Sequence, residues 1–441
     1  MKRRNLFIVL IFAGLLKIQA QEVELTPLEE VQQKVESHND NLIKLNNLKI
    51  SGYLQPQFQW GEQSASLKVG TGNTDASGVG LEAPFSRVGL RRGRLKFTYD
   101  DGGIASGVVH FNFIDKPGLS GATVQLKEAY LTAKDPWFKT NAIRFGVFDR
   151  PFGHEVGYSS SLVESPERSR FITTLFPEES ELGAMLVLQA PISSPFNFLK
   201  FEGGFFAGNA INPETDNRKD FIGHIVATKP IGNFAKWGLG ASYYNGGVYQ
   251  TNSVVYNMAG AAFVKNDIAT NKGAFAKREY FGVDGQFSVE TPIGITQIRA
   301  EYLWGSQPGN AKTSASPNRA ALPAPEDTYI RPMNGWYAIL VQDLGRTPFS
   351  AVIKYDVYDP NTKVSGNDLG LTASNTGIAD VKYSTLGTGI IWHISPALLG
   401  EVYYELVENE TSTSLTNTSA LKNYTSDLKD NTLTVRLQYK F

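Results

Sequence analysis

The sequence predicts an all-β fold, a transmembrane antiparallel β-barrel of about 16 strands preceded by a short N-terminal helix. Three observations carry this: the final nine residues, the alternation repeated through the chain, and the uneven spacing between alternating segments. Leu433-Thr434-Val435-Arg436-Leu437-Gln438-Tyr439-Lys440-Phe441 is apolar or aromatic at every odd position and polar at every even one. Successive side chains of a strand point to opposite faces, so this segment offers one face to hydrocarbon and one to water. Ending on it suits a barrel's closing strand, because an unpaired sheet edge cannot sit in lipid.

At the other end, Lys2-Arg3-Arg4 precedes the apolar run Leu6 to Leu16 and then Ala20. That run is too short to span a bilayer and reads as a signal peptide over 1–20, cleaved before Gln21. The segment 21–47 follows as a periplasmic helix. Thr26-Pro27-Leu28-Glu29 supplies a capping box with proline at the first helical position. Leu28, Val31, Val35, His38, Leu42 and Leu45 then recur at alternating spacings of three and four, a heptad seam suited to a short coiled coil.

From 48 to 441 the pattern is strand after strand. Clear alternation runs through Lys49–Trp60, Leu95–Tyr99, Val109–Phe113, Ile143–Val147, Leu199–Ala207, Trp237–Tyr243, Phe281–Val289, Ile298–Trp304, Phe349–Val357, Leu386–Trp392 and Val402–Leu406. Weaker alternation marks 124–132, 182–190, 222–228 and 333–341. Long polar gaps at 61–84, 150–181, 246–277, 305–331, 360–381 and 409–431 contrast with tight junctions such as Asp100-Asp101-Gly102-Gly103 and Thr291-Pro292-Ile293-Gly294. Long loops on one side and short turns on the other are what an outer-membrane barrel shows.

Composition bounds the chemistry. The chain has no cysteine, so it has neither a lipid-acceptor thiol nor a disulfide. Removing residues 1–20 takes away four basic groups and no acidic ones, leaving a net charge of −5. Nothing in that balance points to nucleic acid. No cofactor, metal or catalytic residue is predicted. His154-Glu155 lacks the second histidine of a zinc-protease helix, and Gly157-Tyr158-Ser159-Ser160 lacks the last glycine of a nucleophile elbow. The histidines at 38, 110, 154, 224 and 393 show no metal spacing, and turn chemistry accounts for Asp356, Asp359 and Asn361 more simply than calcium does.

A change of phase along the second strand singles out its arginines. Leu90 faces outward in the even phase and Leu95, Phe97 and Tyr99 in the odd phase, so one extra residue must be absorbed between them. A bulge at Arg91-Arg92, beside Gly93, aims both guanidinium groups at water. Facing lipid at mid-membrane, an arginine would cost about 2–4 kcal/mol. A purely structural role, pairing with lumen acids such as Glu128 and Glu155, is the competing reading.

The run Arg144-Phe145-Gly146-Val147-Phe148-Asp149-Arg150-Pro151-Phe152-Gly153-His154-Glu155, leading into Ser159-Ser160-Ser161-Leu162-Val163-Glu164-Ser165-Pro166-Glu167-Arg168-Ser169, resembles the phosphate-selective porin family, the O and P porins. Leu90-Arg91-Arg92-Gly93-Arg94-Leu95, Gly203-Gly204-Phe205-Phe206-Ala207-Gly208-Asn209 and Tyr355-Asp356-Val357-Tyr358-Asp359-Pro360 look like further pieces of its pattern. The resemblance implies a homotrimeric porin of the Gram-negative outer membrane whose 150–181 loop folds inward and narrows the pore. It implies a constriction and anion-binding zone at Arg91, Arg92, Arg94, Lys127, Ser159 and Ser160, with small anions or other hydrophilic solutes as cargo. Two positions depart from the pattern: Val156 stands where a family lysine is expected, and Lys127 where an acid is expected. Two other classes stay open, a structural barrel of a secretion or surface-assembly complex and an outer-membrane hydrolase. The latter would need an aligned serine and histidine on the lipid-facing rim.

Overall fold

The computed structural model describes residues 48–441 apart from 75–79, 116–121, 318–325 and 414–419, together with part of a segment between 31 and 47. The export segment and Leu28 lie outside the described residues. Where described, 31–47 is helical, and Val31, Val35, Leu42 and Leu45 of the seam are all exposed in the single chain. His38 Nδ1 lies 2.7 Å from the Lys34 carbonyl oxygen, one turn earlier in the same helix.

Residues 48–441 form a separate unit. Sixteen of its strands close into an antiparallel barrel: β1 (Leu48–Gly61), β2 (Phe85–Asp100), β3 (Ala105–Asp115), β4 (Ala122–Lys134), β5 (Ala142–Asp149), β6 (Ser180–Gln189), β7 (Leu199–Phe206), β8 (Asp220–Ile231), β9 (Ala235–Tyr249), β12 (Phe275–Thr291), β13 (Gly294–Gly309), β14 (Thr328–Asp343), β15 (Phe349–Asp359), β16 (Tyr383–His393), β17 (Leu398–Asn409) and β18 (Thr432–Lys440). The last strand pairs with the first, Tyr53 opposite Lys440 through Gly61 opposite Thr432, so no barrel edge is left open. The Phe441 carbonyl accepts the Gly52 N–H and its N–H donates back, at 3.0 Å each.

Two strands escaped the sequence reading. β10 (Val254–Ala259) and β11 (Ala262–Asp267) form a hairpin inside the gap read as an irregular loop, and β10 runs parallel to the start of β14. This hairpin lies beyond the lipid and need not alternate apolar against polar, so it carries no barrel signature. Phe263 donates its N–H to the Ser374 carbonyl, and Val364, Leu369, Val381 and Leu421 pack into a small core among the loops at this end.

Alternation is read out by burial. On β1, Gln55, Gln57 and Gln59 are buried in the lumen while Ile50, Leu54 and Phe58 are exposed on the outside. Outward aromatics gather in belts: Tyr243, Phe281, Trp304 and Tyr302 lie in chain contact at ring separations of 5.1–5.7 Å on one level, and Phe349 with Trp392, and Tyr439 with Phe441, at 6.1 Å near the short turns. Such belts sit where a bilayer meets water. No described helix is long and apolar enough to cross a membrane, and the crossing is made by strands.

The barrel is not hollow. The β5–β6 loop turns inward carrying a short helix, α1 (Arg170–Leu175), that buries Phe171, Ile172 and Leu175. With Phe152, Val156 and Phe176 they pack on inward-facing Tyr244, Tyr280, Leu303, Met333 and Tyr337. Glycines make room for this approach: a Cβ at Gly335 would lie 2.5 Å from Phe171, and one at Gly282 would lie 2.9 Å from Phe152. The loop and the inward-facing side chains of this wall thus fill part of the lumen with an apolar core.

Candidate functional site

The constriction is built where two bulges double the inward charges. Between Gln55 opposite Arg92 and Pro56 opposite Leu90, Arg91 is the extra residue, and Pro56 has no N–H to lose there. Between His110 opposite Glu128 and Phe111 opposite Leu126, Lys127 is the extra residue in the same way. The phase change along β2 therefore has the predicted cause, and Arg91, Arg92, Arg94 and Lys127 all reach the lumen.

The partners differ from those expected. Arg91 and Arg92 pair with neither Glu128 nor Glu155. Both pair with Glu167 of the inward loop: Arg91 is bidentate at 2.6 and 2.8 Å, and Arg92 Nη2 is 2.8 Å away. Arg436, from the opposite end of the chain, lies 3.7 Å from the same carboxylate and donates to the Pro166 carbonyl at 2.8 Å. Burial pushes the Glu167 carboxyl up, but Arg91, Arg92 and Arg436 outweigh it and hold the group well below the usual range. Glu128 is taken by His110 and Lys96, and Glu155 by Lys354 at 2.7 Å.

A second cluster forms at the loop's other end. Glu179 pairs with Arg168, lies 3.3 Å from Lys127 Nζ and 3.9 Å from Arg94 Nη2. Lys127 also donates to Asp149 at 2.7 Å. The two serines separate: Ser160 is buried, its hydroxyl 3.2 Å from Arg168 Nη1 and 3.4 Å from Arg94 Nη1, whereas Ser159 is exposed to the lumen and its hydroxyl contacts only Ser161 among the described residues. Val156 is fully buried in the apolar core beneath the loop. A lysine at that place would lose its solvation, whereas valine packs there without cost.

Around this constriction the free volume divides. A cavity of about 490 Å³ opens toward the long loops, lined by Lys68, Arg91, Arg92, Arg170, Tyr383 and Asp430 among others. Toward the short turns lie a cavity of about 310 Å³, lined by Arg94, Lys96, Lys127, Ser159 and Lys440, and one of about 610 Å³, lined by Glu164, Glu401, Arg436 and Gln438. Arg168 lines both the outer cavity and the smaller inner one.

Glu167, Arg168, Glu179, Lys354 and Arg436 were missed as site residues. Glu167 and Arg168 stood within the loop motif, and Arg436 stood at a polar position of the last strand; what the sequence lacked was any statement of who faces whom across the lumen.

The structure does bring one serine and histidine together, Ser350 Oγ and His393 Nε2 at 2.9 Å, on the lumen side and not on the lipid-facing rim. Ser350 is 2 % exposed and donates its proton to Asp343 at 2.7 Å. A hydroxyl has one proton, so the imidazole must donate to Ser350 and cannot act as its base. Among the described residues no group of acids and histidines is arranged to hold a metal ion.

No family model matches the chain, and no curated protein matches it. Among solved structures it is similar to the outer membrane channel DcaP of Acinetobacter baumannii, at 12% identity and TM-score 0.52 over 89% of this chain and 97% of that one. It is likewise similar to OprB of Pseudomonas putida (10% identity, TM-score 0.52, 93% and 97% covered) and to OmpF of Salmonella typhi (10% identity, TM-score 0.52, 89% and 97% covered). Identity this low speaks to the fold, and the fold is that of an outer-membrane porin. A closed barrel of this fold with an apolar outer belt belongs to the Gram-negative outer membrane.

Proposed function

We propose that the protein is a passive porin for small hydrophilic solutes with a preference for small anions such as phosphate, working as a homotrimer. The observation that carries this is the charge balance at the constriction. Six cations, Arg91, Arg92, Arg94, Lys127, Arg168 and Arg436, are held by four carboxylates, Glu167, Glu179, Asp149 and Glu401. In a narrow, partly dry passage this local excess acts at shorter range and lower effective dielectric than the scattered acids behind the overall charge of −5. A wet lumen with one charged narrowing conducts by lowering the barrier for ions of the opposite sign. The exposed heptad seam of the N-terminal helix supports self-association.

Purified protein in planar bilayers tests the reading. Stepwise ohmic openings are expected, with a reversal potential under a KCl gradient on the chloride side. A sealed barrel would overturn the pore, and a cation-preferring reversal potential would overturn the anion assignment alone.

A further inference from the structure

We propose that Glu179 is a tethered anion, occupying in cis the position that a permeating anion must take between Arg94, Lys127 and Arg168. The proposal deepens the porin reading and rests on it.

Geometry makes Glu179 the partition. It lines the outer cavity of about 490 Å³, Arg94 and Lys127 line the inner one of about 310 Å³, and Arg168 lines both. An anion crossing from one to the other meets the same three cations that Glu179 now holds. Its side chain is 20% exposed, against 7%, 9% and 5% for Arg94, Lys127 and Arg168, so the carboxylate is the member of the cluster most open to exchange. Although burial pushes its carboxyl up, Arg168, Lys127 and Arg94 hold it well below the usual range, so it stays charged throughout the physiological range.

Glu179 is not what keeps the loop in place. Arg168 also donates to the carbonyls of Glu155 and Tyr158 at 2.8 and 2.6 Å and to Ser160 Oγ at 3.2 Å. Elsewhere the loop is tied by Glu167 to three arginines, and by Gln55 and Gln438, which donate to the carbonyls of Ser160 and Ser161 at 3.0 and 3.1 Å. Replacing the carboxylate by an amide of the same shape therefore vacates a charge and leaves the scaffold standing. The vacated position suits a small oxyanion, because a carboxylate already fits it.

The test compares wild type, Glu179→Gln and Glu179→Asp as folded, heat-modifiable protein in planar bilayers. Glu179→Gln should raise the chloride-to-potassium permeability ratio roughly threefold or more at low salt, where a unit charge at this range is weakly screened. It should also make the chloride current sensitive to block by inorganic phosphate at about tenfold lower concentration, while Glu179→Asp stays near wild type. An unchanged ratio in Glu179→Gln would overturn the proposal, as would an equal shift in Glu179→Asp, which would mean that the residue acts through loop position. These comparisons are differences from wild type, so a wild-type pore that proves cation-preferring would refute the anion reading without deciding them.

Discussion

Opposite substitutions on one ion pair separate selectivity from mere support. Arg92 and Glu167 meet at 2.8 Å, with side chains 6% and 11% exposed. Arg92→Gln removes one positive charge from the constriction, and Glu167→Gln removes one negative charge from the same place. A unit charge about 5 Å from a passing ion changes its energy by roughly 0.8 kcal/mol in a fully aqueous dielectric and roughly 3 kcal/mol at an effective dielectric near 20. With a screening length of about 10 Å in 0.1 M salt, the lower figure falls to roughly 0.5 kcal/mol. A permeability ratio counts attraction for one sign and repulsion for the other, which doubles the effect to roughly 1 kcal/mol, or about fivefold. Arg92→Gln should therefore lower the chloride-to-potassium ratio about fivefold, and Glu167→Gln should raise it by a similar factor. Both also break a buried pair, at a cost of about 3–5 kcal/mol where no other partner remains. Glu167 keeps Arg91 and Arg436 after the first change, whereas three arginines lose their shared partner after the second. Glu167→Gln should thus be the less thermostable variant and show noisier openings. Reversal potentials at 0.1 M and 1 M KCl, with heat-modifiability on gels, measure both. Shifts in the same direction for the two variants would refute the electrostatic reasoning and leave the arginines as struts.

Deleting residues 433–441 should abolish assembly of a folded, heat-modifiable barrel, because β18 pairs with both β1 and β17 and its loss opens two edges. Substituting Val35 and Leu42 with Asp should loosen the oligomer in mild detergent while single-channel openings persist; an equally stable oligomer would remove the helix from that role. Burial pushes the Asp430 carboxyl up to about 7, against the pull of Arg170 and with help from Asp427 and Glu62. A carboxyl raised in the folded state holds its proton where the unfolded chain has lost it, so this group's contribution to stability falls as pH rises from about 4 toward 7. Above 7 it adds a negative charge to the outer cavity, so the chloride-to-potassium ratio should be higher at pH 6 than at pH 8, and Asp430→Asn should flatten that dependence.

The sequence alone determined the barrel, because a membrane writes its demand locally: each strand must alternate with a period of two, whatever it pairs with. Leu433–Phe441, the alternation of β1 and the phase change at Arg91 could all be read without knowing a single neighbour. The constriction was legible only in part. The phase change at Arg91 and Arg92 announced charge in the lumen, and the family resemblance added Lys127, but neither said that Glu167 and Glu179 hold it. Those pairings join the second, fourth and last strands to a loop after the fifth, and they depend on where the barrel closes, where two bulges shift the register, and how deeply Phe171 and Phe152 seat the loop against glycines on the far wall. Period and hydropathy are properties of neighbours in the chain, whereas partners across a lumen are neighbours only once the sheet has curled shut, so that part was decided by the tertiary structure.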